Sequence, residues 1–216
     1  DGSMTTNLAQ VERAAFCDAS LAAGPDAPTL CEGWAVRDLA AHIVVREARL
    51  DLAPAILLPI GQDRLEREQG KIAGGDFPAL IETVRTGPPV WHPARIPAID
   101  LRMNLVEFVV HTEDVVRGDG AVGPRREVPD AVVKATWGTL RTMARLLFRR
   151  SAVSVTLVAP GYGEVAAVRK DGPGVTLTGA PIELVLTAYG RDQAAQTLWE
   201  GDPESIQALR ATSLGV

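Results

Sequence analysis

The sequence predicts a mainly α-helical protein, with a helical domain over residues 4–150 and a small α+β domain over residues 151–216. Before Ser151, apolar residues recur at the spacing of amphipathic helices, in segments that end at Gly and Pro. After Ser151 they alternate with polar residues, as in Val153, Val155 and Leu157, which is typical of a half-buried strand. Both parts have the size of ordinary domains.

Turn-forming residues delimit the first two predicted helices. The first helix is predicted from about Thr6 to Ala22 and ends before Gly24-Pro25. The second is predicted from about Val36 to Leu52 and is ended by a proline-rich segment. His42 is therefore expected in the middle of the second helix.

Three further helices are predicted in the N-terminal part. Residues 61–75 are polar and indicate a helical turn followed by a loop. A short helix is predicted over 77–85, and a turn over 91–97. Two longer helices follow, over 100–117 and 129–150, and the second begins with a proline, which suits a first helical turn.

The sequence of the C-terminal part predicts a β-hairpin, a third strand and two short helices. Gly161-Tyr162-Gly163 separates two strand-like segments, and a third segment of this kind covers 175–178. Helices are expected over 181–189 and 203–211, each opened by a proline.

Composition narrows the class of function. The chain has 46% hydrophobic residues, enough for a core, and a net charge of −5, which argues against nucleic acid and anionic membranes as partners. Cys17 and Cys31 do not form a disulfide framework, so we expect free thiols and a cytoplasmic protein. Apolar segments are too short to predict a membrane span. Small-molecule chemistry is the expected function.

A metal site is the sharpest functional prediction. Glu107 and His111 lie four residues apart in an apolar run, so a helix presents them on one face, which we expect to be buried. A buried carboxylate needs a compensating charge, and a metal ion held with His42 from the second helix supplies one. Three protein ligands leave coordination positions open, which is typical of a catalytic metal. The alternative is a Glu–Arg pair beside two core histidines bonded to carbonyl groups.

Two aspartates are candidate orienting groups for the ligand histidines. Asp38 lies about one turn before His42, and Asp114 about one turn after His111, so each is spaced to accept a hydrogen bond from an imidazole. The alternative is that both are helix-end charges facing water. Cys31 precedes the second helix and is either near the metal or an inert packing residue.

Three segments of the chain resemble a known superfamily, the DinB-like metalloproteins typified by mycothiol-dependent maleylpyruvate isomerase. The segments are residues 29–42, with Gly33-Trp34 before Asp38 and His42, residues 107–114, and residues 188–203. The likeness is greatest to an actinobacterial branch described as metal-binding proteins. It implies a four-helix bundle with His42, Glu107 and His111 as metal ligands, zinc as the usual ion, although another divalent metal is possible, and a sterol-carrier-protein-like C-terminal domain.

The resemblance also implies a thiol-using reaction in which mycothiol attacks a small electrophile, as an S-transferase or an isomerase. Trp34 and Arg191 are the candidate substrate-binding residues, since an arginine can hold a carboxylate. The alternatives are a hydrolase in which the metal activates water, with Glu113 or Asp114 as general base, and a non-catalytic metal-binding or ligand-binding protein. The chain is expected to act as a monomer or homodimer. Ala35 replaces the Thr or Ser common in the family, which removes the usual cap of the second helix.

Overall fold

The described residues form eight helices and one four-stranded mixed sheet, as the computed structural model of the chain shows. The structure describes residues 7–48, 61–88 and 97–214. For residues 97–103 it describes the backbone alone. The mainly helical class with a small C-terminal sheet is thereby confirmed. Contacts divide the chain into two compact units, Asp1–Asp119 and Gly120–Val216.

Five helices make up the described part of the first unit. They follow the predicted positions closely, apart from the third. In chain order they are α1 (Leu8–Ala23), α2 (Val36–Ala48), α3 (Gln62–Ala73), α4 (Phe77–Thr86) and α5 (Pro97–Val116).

The core of the first unit lies where these helices meet. Helix α1 packs against α5 and α4, and α2 packs against α3 and α4. Phe16, Leu39 and Ile81, from three different helices, are each at most 1% exposed. Such burial removes the apolar faces of all three helices from water, at about 25 cal/mol per Å².

The prediction for residues 61–75 was wrong, because these residues form a full helix rather than a turn and a loop. Leu65, Ile72 and Ala73 recur at helical spacing and give α3 one narrow apolar face. Leu65 and Ile72 pack with Val45 of α2. The other faces of α3 are polar, so the stripe was too narrow to indicate the helix.

Helix α2 begins at Val36 without a Thr or Ser cap. The amide groups of Val36 and Arg37 donate to the carbonyl oxygens of Ala27 and Pro25, each over 3.0 Å. In addition, the Asp38 carboxylate accepts a hydrogen bond of 2.9 Å from the amide of Ala35. Backbone carbonyls of the preceding loop thus satisfy amides that a capping side chain would otherwise serve.

The second unit combines a mixed sheet with three helices. These elements are α6 (Asp130–Leu147), β1 (Ser154–Ala159), β2 (Gly163–Val168), β3 (Gly174–Thr178), α7 (Pro181–Ala188), β4 (Leu198–Glu200) and α8 (Pro203–Arg210). The strand order is β2-β1-β3-β4, with β1 antiparallel to β2, parallel to β3, and β3 antiparallel to β4. The predicted hairpin and third strand are confirmed, and β4 was not predicted.

Helix α6 packs against α7 and β2 within the second unit. The indole nitrogen of Trp137 donates to the carbonyl oxygen of Tyr162, in the β1–β2 turn, over 3.0 Å. The contacts that bring α6 to the sheet explain why the unit begins at Gly120. The domain limits 4–150 and 151–216 stay a prediction.

Two predicted features lie outside the described residues: the C-terminal end of the second helix, beyond Ala48, and the turn predicted over 91–97, except for Pro97, which begins α5. No helix within the described ranges combines the length and the apolar character needed to cross a bilayer.

Candidate metal centre

The structure brings the two histidine rings of the predicted metal site together inside the first unit. His42 lies on α2, and Glu107 and His111 lie on α5. The ring centroids of the two histidines are 5.9 Å apart, with the ring planes at 78°. His111 Nε2 is 3.6 Å from Glu107 Oε2.

The sequence of α5 explains why these two side chains share a face. Phe108, Val109 and Val110, between them, are at most 2% exposed and anchor the helix in the core. Glu107 and His111 lie on the remaining face, with side chains 28% and 12% exposed. A residue spacing of four therefore leaves both polar groups accessible at the edge of the core.

The second nitrogen of His111 is held by a buried carboxylate. His111 Nδ1 is 2.9 Å from Asp114 Oδ2, and Asp114 is fully buried. The Cys31 thiol donates to the same oxygen over 3.2 Å, and the amide of Leu30 donates to the Asp114 carbonyl oxygen over 3.0 Å. A proton on Nδ1 thus has an acceptor, which leaves Nε2 available on the side of Glu107.

Cys31, His111 and Asp114 also form a possible metal-ligand cluster. One ligand atom from each residue lies within 4.8 Å of the others. Among the described residues, the predicted set of His42, Glu107 and His111 does not meet this distance limit. The cluster shares His111 with that set and has a thiol and the Asp114 carboxylate in place of His42 and Glu107. The two sets therefore compete for the same imidazole.

Burial and neighbouring charges give the three predicted ligands different protonation states. Burial, followed by the charge of His111, lowers the pKa of His42 to about 4, so its ring is neutral at pH 7. Burial alone would raise the pKa of Glu107, but a hydrogen bond from His111 and the charge of Arg46 lower it to about 2.

His111 differs from His42 because it lies among acids. Burial alone would lower the pKa of His111, but hydrogen bonds with Asp114, Cys31 and Glu107 raise it well above the usual value. Without a metal, this ring therefore carries a proton on each nitrogen at neutral pH. The centre thus attracts positive charge at this ring, as a proton or as a metal ion.

Arg46 also contacts the site, and the sequence did not indicate it. Its Nε is 3.9 Å from Glu107 Oε2, and its Nη1 donates to Asn104 Oδ1 over 2.8 Å. The alternative interpretation of Glu107 as the partner of an arginine thus describes a real contact, although 3.9 Å is long for a hydrogen bond. Arg46 lies one helical turn after His42, and that spacing was the available signal.

A cavity of about 470 Å³ adjoins His42. It is lined from α2 and the preceding loop by Gly33, Trp34, Asp38 and His42, and from α3 by Gln62, Leu65, Glu66, Gln69 and Gly70. The centroids of the Trp34 and His42 rings are 5.2 Å apart. The cavity therefore gives a small molecule access to His42, one of the predicted ligands, beside the Trp34 ring.

The remaining predicted site residues have contacts of their own. Asp38 lines the cavity with His42, and its carboxylate accepts a hydrogen bond from the amide of Ala35. Arg191 belongs to the second unit, where its Nη1 donates to the carbonyl oxygen of Tyr189 over 2.6 Å.

The donor set fits a divalent metal ion. A metal ion requires neutral imidazoles and an ionised carboxylate as ligands, and His42 and Glu107 are already in these states. His111 reaches its own when it releases the proton on Nε2, because the proton on Nδ1 has Asp114 as its acceptor. Imidazole and carboxylate ligands accept zinc, nickel or iron. The residues therefore define a helical protein with a possible metal centre beside a small-molecule cavity.

Comparison with known families agrees with this class. A family model described as the mycothiol maleylpyruvate isomerase N-terminal domain matches residues 8–68, a segment that contains His42, Trp34 and Asp38. The match confirms the resemblance recognised from the motifs, and it covers residues 8–68, less than a third of the chain. Comparisons with curated proteins and with solved structures gave no significant match.

Proposed function

We propose that the protein is a metal-dependent enzyme, with zinc as its ion, that uses a low-molecular-weight thiol, mycothiol, against a small electrophile. The reaction is an S-transfer or an isomerisation. The observation that carries the proposal is the meeting of His42 and His111, with Glu107 beside them, next to a cavity of about 470 Å³. The family match supports a mycothiol-related role.

The metal ligands in this proposal are His42, Glu107 and His111. A bound divalent cation supplies Lewis acidity, which lowers the pKa of a thiol in its open position. Asp114 holds His111 Nδ1 and orients the ring, and Asp38 is proposed to assist His42. Trp34 walls the cavity, and Arg191 is proposed to bind a carboxylate of the substrate.

The proposal extends to the fold and the cellular location. The helical part is proposed to be a four-helix bundle of the DinB type, over residues 4–150, and residues 151–216 to be a sterol-carrier-protein-like domain. The free thiols Cys17 and Cys31 support a reducing compartment, for which we propose the cytoplasm.

Two observations rank the thiol reaction above the alternatives. A hydrolase would need a free carboxylate as general base, but Glu113 Oε2 accepts from Arg117 Nε over 2.6 Å in a buried pair, and Asp114 is bonded to His111 and Cys31. A purely storage role favours a closed site, whereas a cavity adjoins His42. Both observations favour a site open to a co-substrate.

The test is a calorimetric titration of the protein with mycothiol, with and without zinc. We expect binding to the zinc-loaded protein and at least about tenfold weaker binding after chelation, because the thiolate gains its stabilisation from the cation. The disulfide form of mycothiol, which has no thiolate, is the matched control ligand. Equal binding with and without metal would contradict the proposal.

A further inference from the structure

A second cavity, of about 530 Å³, lies within the second unit, between the end of α6 and strand β2. Its apolar lining comes from the strand, as Ala166, Ala167 and Val168. Its polar lining is entirely cationic and comes from both elements, as Arg145, Arg149, Arg169 and Lys170. It is thus a cleft with an apolar floor and four positive side chains.

The positive charge of this cleft is not balanced within its lining. All four cationic residues are exposed, and the lining contains no carboxylate. Among the residues that the structure describes, Arg145, Arg169 and Lys170 form no ion pair. Two of the four cations follow α6 or lie at its end, and the other two directly follow β2.

Helix electrostatics explains only half of this cluster. A cation at the C-terminal end of a helix is stabilised by the helix macrodipole, which accounts for Arg145 in the last turn of α6. Arg149 lies just beyond that end, where its Nη1 donates to the Leu146 carbonyl oxygen over 2.9 Å. Arg169 and Lys170 follow a strand and gain nothing comparable. Like charges gathered from two elements repel one another, and an anion bound between them would relieve that repulsion.

We propose that this cleft binds a small organic dianion that carries an apolar portion, such as a phosphate ester or a dicarboxylate with a ring or chain. An arginine guanidinium donates two parallel hydrogen bonds to one phosphate or carboxylate group. The alanine and valine side chains of the cleft suit the apolar portion. A long polyanion fits less well, because the chain as a whole carries a net charge of −5. The site lies within the second unit and does not depend on the metal centre.

The test uses the full-length chain after metal chelation, so that anion binding at a metal is excluded. We expect phenyl phosphate, phthalate or both to bind with a dissociation constant below about 1 mM at low salt. NMR titration should shift the amide signals of β2 and the end of α6. Phenyl phosphate and phthalate distinguish the phosphate from the dicarboxylate class.

Variants and a neutral ligand make the test decisive. The double variant Arg145→Gln/Arg169→Gln should bind at least about tenfold more weakly, because one charge is lost from each wall. Arg141→Gln, one turn earlier on α6 and outside the cleft, should bind within about twofold of the wild type.

Three results would overturn the proposal. They are an absence of binding by both anions up to about 10 mM, equal binding by the double variant, and equal binding of neutral benzyl alcohol. The last would make the cleft a purely apolar site.

Discussion

His111 is the residue on which the proposed metal centre depends, because both of its nitrogens face acids. Asp114 Oδ2 lies 2.9 Å from Nδ1, and Glu107 Oε2 lies 3.6 Å from Nε2. Because Asp114 accepts the proton of Nδ1, the other ring nitrogen, Nε2, is the one that can bind a second proton or a metal ion. The carboxylate of Glu107 beside Nε2 strengthens the binding of either. Asp114 is therefore expected to be as important to the site as the proposed ligands.

The two cysteines should differ sharply in reactivity. Cys17 is fully buried, and burial raises its pKa to about 11, so it remains a neutral thiol well above pH 7. Cys31 is partly exposed. We expect DTNB to modify one thiol per native metal-free chain at about pH 8, where only an accessible thiol reacts.

Single variants identify the reactive thiol. Cys17→Ser should leave the fast-reacting thiol in place, and Cys31→Ser should remove it. Unfolding in guanidinium should expose the second thiol and serves as the control. Fast reaction of both thiols in the native chain would contradict the burial of Cys17.

At the scale of helices, a buried ion pair joins α1 to α2. Arg13 Nη1 donates to Glu47 Oε2 and to the Val84 carbonyl oxygen, each over 2.8 Å, and the two side chains are 1% and 6% exposed. Glu47→Gln should lower the free energy of unfolding by about 3–5 kcal/mol, because it leaves a buried guanidinium unpaired. Urea denaturation followed by circular dichroism measures this loss.

An exposed pair between α1 and α4 is the matched control. Arg85 Nη2 and Asp18 Oδ1 are 2.7 Å apart, but the side chains are 34% and 71% exposed. Asp18→Asn should cost less than about 1 kcal/mol, since water screens the pair. Similar losses in the two variants would show that burial does not decide the strength of these pairs.

The end of α5 touches the loop that carries Cys31. A Cβ atom added at Gly118 would lie 1.9 Å from the carbonyl oxygen of Pro28, so no side chain fits there. Gly118→Ala should lower the free energy of unfolding by about 1–3 kcal/mol, because backbone must move to make room. Thermal or urea denaturation measures the change.

Gly138, unlike Gly118, has room for a side chain. It lies exposed within α6, and a Cβ atom there meets nothing within 4 Å among the described residues. Gly138→Ala should therefore stabilise its unit by about 0.5–1 kcal/mol through helix propensity. A stable Gly118→Ala variant would contradict the close approach of the loop to α5.

At the scale of the whole molecule, local signals predicted most elements. Gly and Pro punctuation predicted α1, α4 and α8 to within two residues of their observed ends, because these residues act on the backbone where they stand. Helix α3 and strand β4 were missed because their stability comes from neighbours, namely α2 and β3. The sequence of a short, mostly polar segment does not contain that information.

The candidate site also has residues that the local sequence indicated and residues that only tertiary packing brings there. The spacing of Glu107 and His111 and the motif around His42 pointed to three residues that lie near one another, with the two histidine ring centroids 5.9 Å apart. That the three hold a metal stays a prediction. Gln69 reaches the cavity through tertiary packing, and no local spacing pointed to it. The sequence left the place of Cys31 open, and for Arg46 the one-turn spacing from His42 was the single local signal. Their positions follow from how the helices and the loop before α2 pack.

Elemental analysis of protein purified without a nickel column tests the central claim most directly. We predict about one divalent metal ion per chain in the wild type, less than about a tenth of that in His42→Ala and Glu107→Gln, and full occupancy in Cys31→Ser. Glu66→Gln, an exposed carboxylate at the same cavity, is the control and should retain its metal. Metal retained in His42→Ala but lost in Cys31→Ser would contradict the account and assign the ion to Cys31, His111 and Asp114.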